Sequence, residues 1–384
     1  MGGYDLVVAG AGPAGLTLAW KACDRGLRVL VFDRKKDSSD IAYTTSGSFI
    51  DLDHWGLPAD VAHPIDGIRF SSDGACLEGR GKACVIRRRR LLAELENRCV
   101  SLGADIRYSC SAKKVEVDGG KISGVGLSDG SDLKSTLYAD CSGLGQVFNR
   151  ALPVFTGKPT QALGFEYIVT LKAEPSIAEL YMGRAVRGGY GWLFPLSDKE
   201  AIVGAGTLRR ELFPKIRDML DSMLALPRFR ARIELTPIES HSGIFNTGHP
   251  LRCFHRGNLF LVGDVALQGN PAAGEGVRFV MDAADMAANA AYDAVKSEDL
   301  SMLAGYSKAW VKKYYSPFRM NYLLQKALVW LSEHDSVLDF TIRTGAKASD
   351  DTLITLIKGG ADPGFLLRKL PKLVYKPFSS RKRD

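Results

Sequence analysis

Three glycines near the start of the chain have a spacing that suits phosphate binding. The stretch Gly10-Ala11-Gly12-Pro13-Ala14-Gly15 fits G-x-G-x-x-G, between the apolar run YDLVVA and residues with helical spacing. Such glycines allow a tight turn, bring the backbone close to a pyrophosphate and let helix and strand pack closely. An acidic residue, Asp33, follows eighteen residues later and suits the hydroxyls of an adenosine ribose. We therefore predict a dinucleotide site that includes Gly10, Gly12, Ala14, Gly15 and Asp33.

The elements that must position this site form one β-α-β unit. Apolar runs at residues 4–9 and 27–32 predict two strands, and residues 16–23 between them have helical spacing. Residues 34–66 are polar and rich in Ser, Thr and Gly, which predicts a long connection. Leucines at helical spacing then predict a helix over residues 88–103, before further strands.

The middle of the chain has a different pattern. The runs GFEYIVTLKA, YGWLFPLS and AIVGAGTL lie within residues 153–250 and predict an antiparallel sheet. The run NLFLV at 258–262 predicts a buried strand, and residues 276–294 predict a helix. Helical patterns continue beyond residue 301.

Composition limits the function classes. Apolar residues make up 46% and charged residues 24%, the balance of a globular protein. Seven cysteines without a C-x-x-C pair and six histidines without H-E-x-x-H argue against disulfides and a metal site. The uncharged stretch 6–20 is broken by Gly and Pro, and no basic start precedes it. We expect a cytoplasmic protein.

The formal charge of +8 is concentrated at the C-terminal end. Residues 306–384 contain fifteen Lys or Arg and seven Asp or Glu. Such a segment either contacts anionic lipid on the inner face of a membrane or forms a solvated helical face. Without a zinc finger, helix-turn-helix or aromatic RNA-binding motif, the charge does not predict nucleic-acid binding.

Two further motifs resemble those of the glutathione-reductase-like flavoproteins. Asp264 follows a buried strand as in their second flavin-binding motif, and the resemblance implies that it binds the ribityl chain of FAD. The turn Asn270-Pro-Ala-Ala-Gly-Glu-Gly-Val277 opens a helix and suits the electronegative edge of a flavin. This turn places Gly274, Gly276 and Val277 beside FAD, although an ordinary capped helix is the alternative.

A run of four arginines at 87–90 offers one more cofactor contact. The pattern R-x-x-[FL]-x-x-x-L of the same flavoprotein group selects Arg88, and residues 139–143 resemble its A-D-x-S-G strand end. A second G-x-G-x-x-G between strand and helix is missing from the sequence. We therefore expect electrons to come from transiently bound NAD(P)H or a ferredoxin-like carrier.

The stretch Tyr190-Gly-Trp192-Leu-Phe194-Pro195, followed after eight residues by Gly204-Ala-Gly206, matches Y-x-W-x-F-P-(x)7–8-G-x-G. This is the signature of the geranylgeranyl reductase family, which the whole chain resembles. The resemblance implies that reduced FAD saturates double bonds of an isoprenoid or prenylated lipid. Alternate residues of a strand share a face, so the aromatic side chains would line an apolar cavity, with an aromatic sheet core as the alternative. The predicted substrate residues are Tyr190, Trp192, Phe194 and Pro195, with Tyr190 and Trp192 also as catalytic candidates and Tyr190 as proton donor.

One departure from the family and three rival functions stay open. Residues 42–48 read AYTTSGS, without the cysteine-glycine pair of several members, so a mechanism through that cysteine is excluded. A monooxygenase of the aromatic-hydroxylase type shares the FAD motifs, and a lycopene-type cyclase uses reduced flavin without net redox change. A prenyl carrier with vestigial FAD is the non-enzymatic alternative.

Together these patterns predict an α/β fold in three regions. A discontinuous Rossmann-type FAD-binding domain with a parallel sheet takes residues 1–150 and 251–300. A substrate-binding domain with an antiparallel sheet takes residues 151–250, and residues 301–384 form a helical C-terminal region.

Overall fold

The structure, a computed structural model, describes residues 3–44, 47–173, 177–346 and 348–360. It is an α/β fold with two larger sheets and one small sheet. In the described part of the chain no helix is both long enough and apolar enough to cross a membrane.

A mostly parallel sheet carries the first glycine motif. Its strands are β1 (Tyr4–Ala9), β2 (Val29–Phe32), β6 (Asp105–Arg107), β10 (Ser135–Asp140), β16 (His255–Arg256) and β17 (Leu259–Leu261). They lie in the order β16-β17-β10-β1-β2-β6, and β16 pairs in the antiparallel sense. Apolar side chains on both faces of β1, β2 and β17 are buried, as in parallel sheets covered on both sides.

Three helices accompany this sheet: α1 (Pro13–Asp24), α2 (Arg88–Ser101) and α5 (Val277–Lys296). Helix α1 packs against both α2 and α5. The largest apolar core of the described residues includes the buried side chains of these strands and helices. The predicted β-α-β unit, the helix after residue 88 and the helix after Gly276 are confirmed.

The second sheet has eight strands. They are β3 (Gly47–Ser48), β4 (Ala62–Ser71), β5 (Cys76–Ile86), β11 (Thr160–Thr170), β12 (Ala178–Gly183), β13 (Val186–Pro195), β14 (Glu200–Thr207) and β15 (Glu239–Thr247). Their order is β15-β11-β14-β13-β12-β4-β5-β3, with all pairs antiparallel except β12 with β4. The predicted antiparallel sheet is therefore confirmed.

Residues 34–66 do not form a connection throughout, because β3 and the start of β4 lie within them. Pro64 and Gly67 in β4 resemble turn signals, but they flank a shift in register against β5. A Cβ atom at Gly67 would lie 2.6 Å from the carbonyl oxygen of Gly79, so close strand approach requires this glycine. Strands β3 to β5 thus join the second sheet from within the first predicted domain, and the domain bounds stay a prediction.

The remaining elements are peripheral to these two sheets. The small sheet contains β7 (Ala112–Asp118), β8 (Lys121–Leu127) and β9 (Asp132–Leu133). The other helices are α3 (Ile216–Leu224), α4 (Pro227–Arg230), α6 (Ala304–Leu331), α7 (Asp335–Gly345) and α8 (Asp350–Ile357). Helix α3 packs on one side of β11, β13 and β14, whereas α7 and α8 pack on β5.

Candidate active site

A cavity of about 330 Å³ brings the sequence motifs together. One side consists of the glycine loop after β1, the segment after β17 and the start of α5, and the other side consists of β11, β13, β14 and β15. Loops at the carboxyl ends of parallel strands are the usual ligand position in such sheets. Nine of the ten residues predicted to bind the cofactor line this cavity: Gly10, Gly12, Ala14, Asp33, Arg88, Asp264, Gly274, Gly276 and Val277.

The reason for a glycine differs among the three positions of the first motif. Gly10 has φ +105°, and a Cβ atom there would lie 2.6 Å from the carbonyl oxygen of Cys141. A Cβ atom at Gly15 would lie 1.8 Å from the carbonyl oxygen of Gly10, whereas one at Gly12 would meet nothing within 4 Å. Gly15 does not line the cavity. The fold therefore requires Gly10 and Gly15, while Gly12 leaves open space.

Asp33 holds the glycine loop from the end of β2. Its carboxylate accepts hydrogen bonds from the backbone N–H groups of Ala11 (2.7 Å) and Lys35 (3.0 Å). The Lys35 ammonium in turn donates to the Ala11 carbonyl at 2.7 Å. A carboxylate has about four acceptor positions, so Asp33 can order this loop and still accept hydroxyl donors from the cavity.

The four arginines at 87–90 have different contacts. Arg88 lines the cavity, and its guanidinium carbon lies 4.4 Å from the centroid of the Tyr43 ring. Arg87 donates to the Leu196 carbonyl, and the other two form ion pairs elsewhere, Arg89 with Glu239 and Arg90 with Asp60. Among these four arginines the cavity lining includes Arg88, the residue that the flavoprotein pattern selects.

Asp264 lies in the cavity wall directly after β17. Gly263 before it has φ +89°, and a short 3-10 helix begins at Asp264. Burial raises the pKa of the Asp264 carboxyl group, while the positive charge of Arg88 acts in the opposite direction. A buried carboxyl group needs hydrogen-bond donors to be stable in its charged form, and the hydroxyls of a polyol chain would supply them.

We expect Asp264→Asn to separate stability from flavin affinity. A hydrogen bond to a charged group contributes about 1.5–3 kcal/mol, so the flavin Kd should rise about tenfold to hundredfold. Burial raises the pKa of Asp264 in the folded protein above its unfolded value of about 3.9. The free energy of unfolding therefore falls as the pH rises from the unfolded pKa to the folded pKa. The Asn variant of the apoprotein should lose this pH dependence and melt at a higher temperature above that window. Flavin titration and thermal unfolding measure both effects; equal Kd values would exclude Asp264 as a flavin ligand.

The turn before α5 is organised by Asn270. Its side-chain oxygen accepts from the N–H groups of Ala272 (2.9 Å) and Ala273 (3.3 Å). Gly274 has φ +67°, and a Cβ atom at Gly276 would meet nothing within 4 Å. No side chain caps the α5 N-terminus at Gly276. Backbone N–H groups at the start of α5 are thus available beside open space, as are those of α1, where Gly12 has no side-chain cap either.

These observations fit a bound flavin dinucleotide. Two uncapped helix N-termini favour anionic groups, Asp264 favours hydroxyls, and the open space at Gly12 and Gly276 leaves room for a ligand beside the backbone. Within the described residues no group of His, Cys, Asp and Glu has the arrangement of a metal site.

Sequence reasoning missed two buried carboxylates in the cavity wall. Glu275 accepts from the Ser48 hydroxyl (2.7 Å) and the Phe49 N–H (3.0 Å), and it pairs with Arg278 at 2.9 Å. Glu166 of β11 accepts from the Thr44 hydroxyl at 2.7 Å. The signal for Glu166 was an acidic residue inside the apolar run GFEYIVT.

The two carboxylates bind hydroxyl groups of the Ser/Thr cluster Thr44-Thr45-Ser46-Gly47-Ser48. Glu166 accepts from Thr44, and Glu275 accepts from Ser48. Thr45 and Ser46 of that cluster lie outside the described residues.

The aromatic residues of β13 share one face and line the cavity. Ring centroids are 6.0 Å apart for Tyr190 and Trp192 and 6.5 Å apart for Trp192 and Phe194. Pro195, at the end of the strand, does not line the cavity because strand alternation turns it to the other face. The structure therefore brings together three of the four residues predicted to bind substrate.

Three glycines explain how Trp192 fits against the sheet. Cβ atoms at Gly204, Gly206 and Gly164 would lie 2.3, 3.2 and 3.5 Å from atoms of the Trp192 indole. The indole therefore lies across β14 and β11 where side chains are absent. This packing gives a physical reason for the G-x-G that ends the sequence signature.

Tyr190 connects this wall to the turn before α5. Its hydroxyl donates a hydrogen bond to the Ala273 carbonyl at 2.6 Å. Burial raises the pKa of Tyr190 to about 12. The phenol is therefore protonated throughout the physiological range, and its proton points at the turn.

Comparisons with known proteins agree with this geometry. The lycopene cyclase protein family matches residues 5–167. The digeranylgeranylglycerophospholipid reductase 1 of Methanopyrus kandleri is 27% identical over 335 residues, which is 82% of this chain and 88% of the relative. A second relative from the same organism, named digeranylgeranylglycerophospholipid reductase 2, is 26% identical and covers 93% of both chains.

Solved structures show the same fold. The geranylgeranyl bacteriochlorophyll reductase-like protein of Thermoplasma acidophilum has a TM-score of 0.84 at 21% identity, covering 96% of this chain and 99% of its own. The p-nitrophenol 4-monooxygenase of Pseudomonas putida has a TM-score of 0.70 at 14% identity, covering 94% and 99%. The α/β flavoprotein fold and the resemblance to geranylgeranyl reductases are thus confirmed over most of the chain.

Proposed function

We propose that the chain is an FAD-dependent reductase that saturates C=C bonds of a geranylgeranyl or other polyprenyl chain. The observation that carries the proposal is a single cavity that joins a dinucleotide cradle to an aromatic wall. Reduced FAD, when bound, supplies the hydride. The relatives named digeranylgeranylglycerophospholipid reductase support a lipid substrate.

In this proposal the first side of the cavity holds the cofactor. The backbone at Gly10, Gly12 and Ala14 binds the pyrophosphate at the start of α1, and Asp33 binds the adenosine ribose. Asp264 accepts hydrogen bonds from the ribityl chain, and Arg88 neutralises charge beside it. The backbone at Gly274, Gly276 and Val277 donates to the electronegative edge of the flavin.

The second side of the cavity positions the prenyl chain. Trp192 and Phe194 are nine-tenths buried, so they offer apolar surface that a polyprenyl chain covers without losing hydrogen bonds. Their rigid packing fixes the chain relative to the cofactor and keeps water from the reacting bond, which is the role of the protein in cofactor chemistry.

Tyr190 is the proposed proton donor, and Tyr190→Phe tests it. General acids contribute about 10²–10⁴-fold to rates, so we expect turnover to fall at least about a hundredfold at unchanged flavin affinity. Tyr167→Phe is a matched control, because that hydroxyl bonds to Arg217 on the other side of β11. Because the pKa of Tyr190 is about 12, its deprotonation should not reduce the rate below about pH 11. Unchanged turnover in the Phe variant would assign the proton to another group.

Mass spectrometry of products tests the function. We expect a geranylgeranyl lipid, incubated anaerobically with the protein and dithionite, to gain hydrogen in pairs. An unchanged mass for every prenyl substrate would reject the reductase. NAD(P)H and a reduced ferredoxin can replace dithionite in parallel reactions, since either could be the physiological donor.

A cyclase is the second candidate, because the lycopene cyclase match covers residues 5–167. That segment ends before Tyr190 and the remainder of the signature, so it includes cofactor motifs but not the aromatic wall. A carotenoid product with unchanged mass and altered chromatographic mobility would favour the cyclase. A monooxygenase would instead consume oxygen and add one oxygen atom to its substrate.

We place the reductase in the cytoplasm, in peripheral contact with the inner face of the membrane that holds its substrate.

A further inference from the structure

Helix α6 is cationic along its whole length. It contains no Asp or Glu, and its basic residues are Lys308, Lys312, Lys313, Arg319 and Lys326. Lys313 pairs with Asp282 of α5 at 2.6 Å. Lys312, Arg319 and Lys326 are exposed and follow one another at intervals of seven residues, so they share one face of the helix.

Large apolar side chains are also exposed on α6 and on the next helix, α7. The exposed fraction is 56% for Leu323, 52% for Trp330, 42% for Val337 and 68% for Phe340. Leu323 and Trp330 lie on the same side of α6 as the three cations, and Val337 and Phe340 lie on α7. We call these seven residues the docking face: Lys312, Arg319, Leu323, Lys326, Trp330, Val337 and Phe340.

Three acidic residues of this region have partners outside α6 and α7. Asp335 pairs with Arg187 of β13 at 2.8 Å, and Glu333 lies 3.6 Å from Arg209. Asp339 accepts a hydrogen bond from the Gly74 N–H at 3.3 Å. The docking face itself contains three cations and no carboxylate, so its charge complements an anionic surface.

The inner side of the same helices covers the substrate wall. Leu338 and Ile342 of α7 are buried in an apolar cluster with Leu77 and Met182, and Tyr190 packs against that cluster. Gln325 of α6 donates to the Pro271 carbonyl at the start of the turn before α5. Two helices thus separate the docking face from the aromatic side of the cavity.

We propose that the docking face binds an anionic lipid bilayer, with Trp330 and Phe340 at the level of the headgroups. Tryptophan and basic residues are the usual anchors of surfaces that lie in the interface of a membrane. Contact there would hold the protein on the bilayer that contains a prenyl-lipid substrate. The purpose of this contact rests on the proposed function, but the binding itself does not.

Vesicle binding without substrate tests the surface separately from the reductase activity. The full chain is sedimented with vesicles of phosphatidylglycerol and phosphatidylcholine, or of phosphatidylcholine alone, at low and high salt. We expect binding only to the anionic vesicles and weaker binding at high salt. The Trp330→Glu/Phe340→Glu variant and the Lys312→Gln/Arg319→Gln/Lys326→Gln variant should each bind at least tenfold more weakly.

Two full-chain variants serve as matched controls. Leu235→Glu/Ile238→Glu changes two equally exposed apolar residues between α4 and β15 and should bind like the wild type. Arg381→Gln/Lys382→Gln/Arg383→Gln removes charge from the end of the basic segment 306–384, for which the sequence left lipid contact and a solvated helical face as alternatives. These three residues lie outside the described part of the chain. Full binding by the docking-face variants would overturn the proposal, as would a loss confined to the C-terminal variant.

Light scattering and turnover complete the test. If the Trp330→Glu/Phe340→Glu variant converts a dimer to a monomer and keeps vesicle binding, the face binds a second copy and the proposal falls. Turnover of a detergent-dispersed prenyl substrate should be unchanged in that variant. The protein could bind vesicles through the docking face and yet reduce no prenyl chain. That result would support the membrane-binding proposal and reject the reductase function.

Discussion

Gly204→Ala is expected to lower turnover of a prenyl substrate at least about tenfold, the change that about 1.4 kcal/mol produces. A methyl group at this position would lie 2.3 Å from the Trp192 indole, which is far closer than two carbon atoms can approach. Overpacking of this kind costs about 1–3 kcal/mol, so the indole must tilt into the cavity. The tilted indole would then occupy cavity space that the substrate chain needs. Steady-state kinetics and thermal unfolding measure the two effects.

Gly164→Ala is the matched control on the same sheet. A methyl group there would lie 3.5 Å from the indole, which is ordinary contact, so stability should change little. In the Gly204→Ala protein, Trp192→Leu should restore stability, because the clash requires the indole, and the two changes should be strongly non-additive. Trp192→Ala alone should lower turnover by removing the cavity wall. Unchanged turnover in the Gly204→Ala and Trp192→Ala variants would exclude this aromatic wall from the substrate site.

Motifs within one short segment were predictable from sequence, because neighbouring residues determine their geometry. The glycine loop, Asp33, Asp264 and the turn before α5 line one cavity as predicted. The glycine loop, Asp33 and Asp264 each follow a strand, and the carboxyl ends of parallel strands meet at one edge of a sheet. Pro195 was predicted as the last residue of the Y-x-W-x-F-P signature, and strand alternation turns it away from the cavity.

Contacts between distant segments were not predictable in this way. Thr44 and Glu166 are 122 residues apart, and Ser48 and Glu275 are 227 apart. The pairing of β4 with β12 was also not predictable, because the two strands lie in different predicted domains. Polar side chains that pair over such distances leave no local periodicity, so only the fold shows that they hold the cavity wall.

Gly15→Ala is expected to abolish flavin binding because the added methyl group distorts the protein, not because it contacts the ligand. Alanine in a helix is favoured over glycine by about 1 kcal/mol, and Gly15 lies in the first turn of α1. However, a methyl group there would lie 1.8 Å from the Gly10 carbonyl oxygen, which is backbone and cannot rotate away. The clash exceeds the gain in propensity, so α1 must move from β1. We expect a lower melting temperature of the apoprotein and no measurable flavin binding.

Gly12→Ala, in the same loop, should weaken flavin binding without changing the stability of the apoprotein. Apart from its neighbours in the chain, a methyl group at Gly12 would meet no atom of the described residues within 4 Å, so the apoprotein should melt at the wild-type temperature. The same methyl group would occupy space that the proposed pyrophosphate needs, since close approach to the backbone is the reason for a glycine here. Flavin titration should therefore show a Kd raised about a hundredfold, the equivalent of about 2.8 kcal/mol. Wild-type affinity in this variant would mean that the dinucleotide does not bind across this loop, whatever Gly15→Ala does to stability.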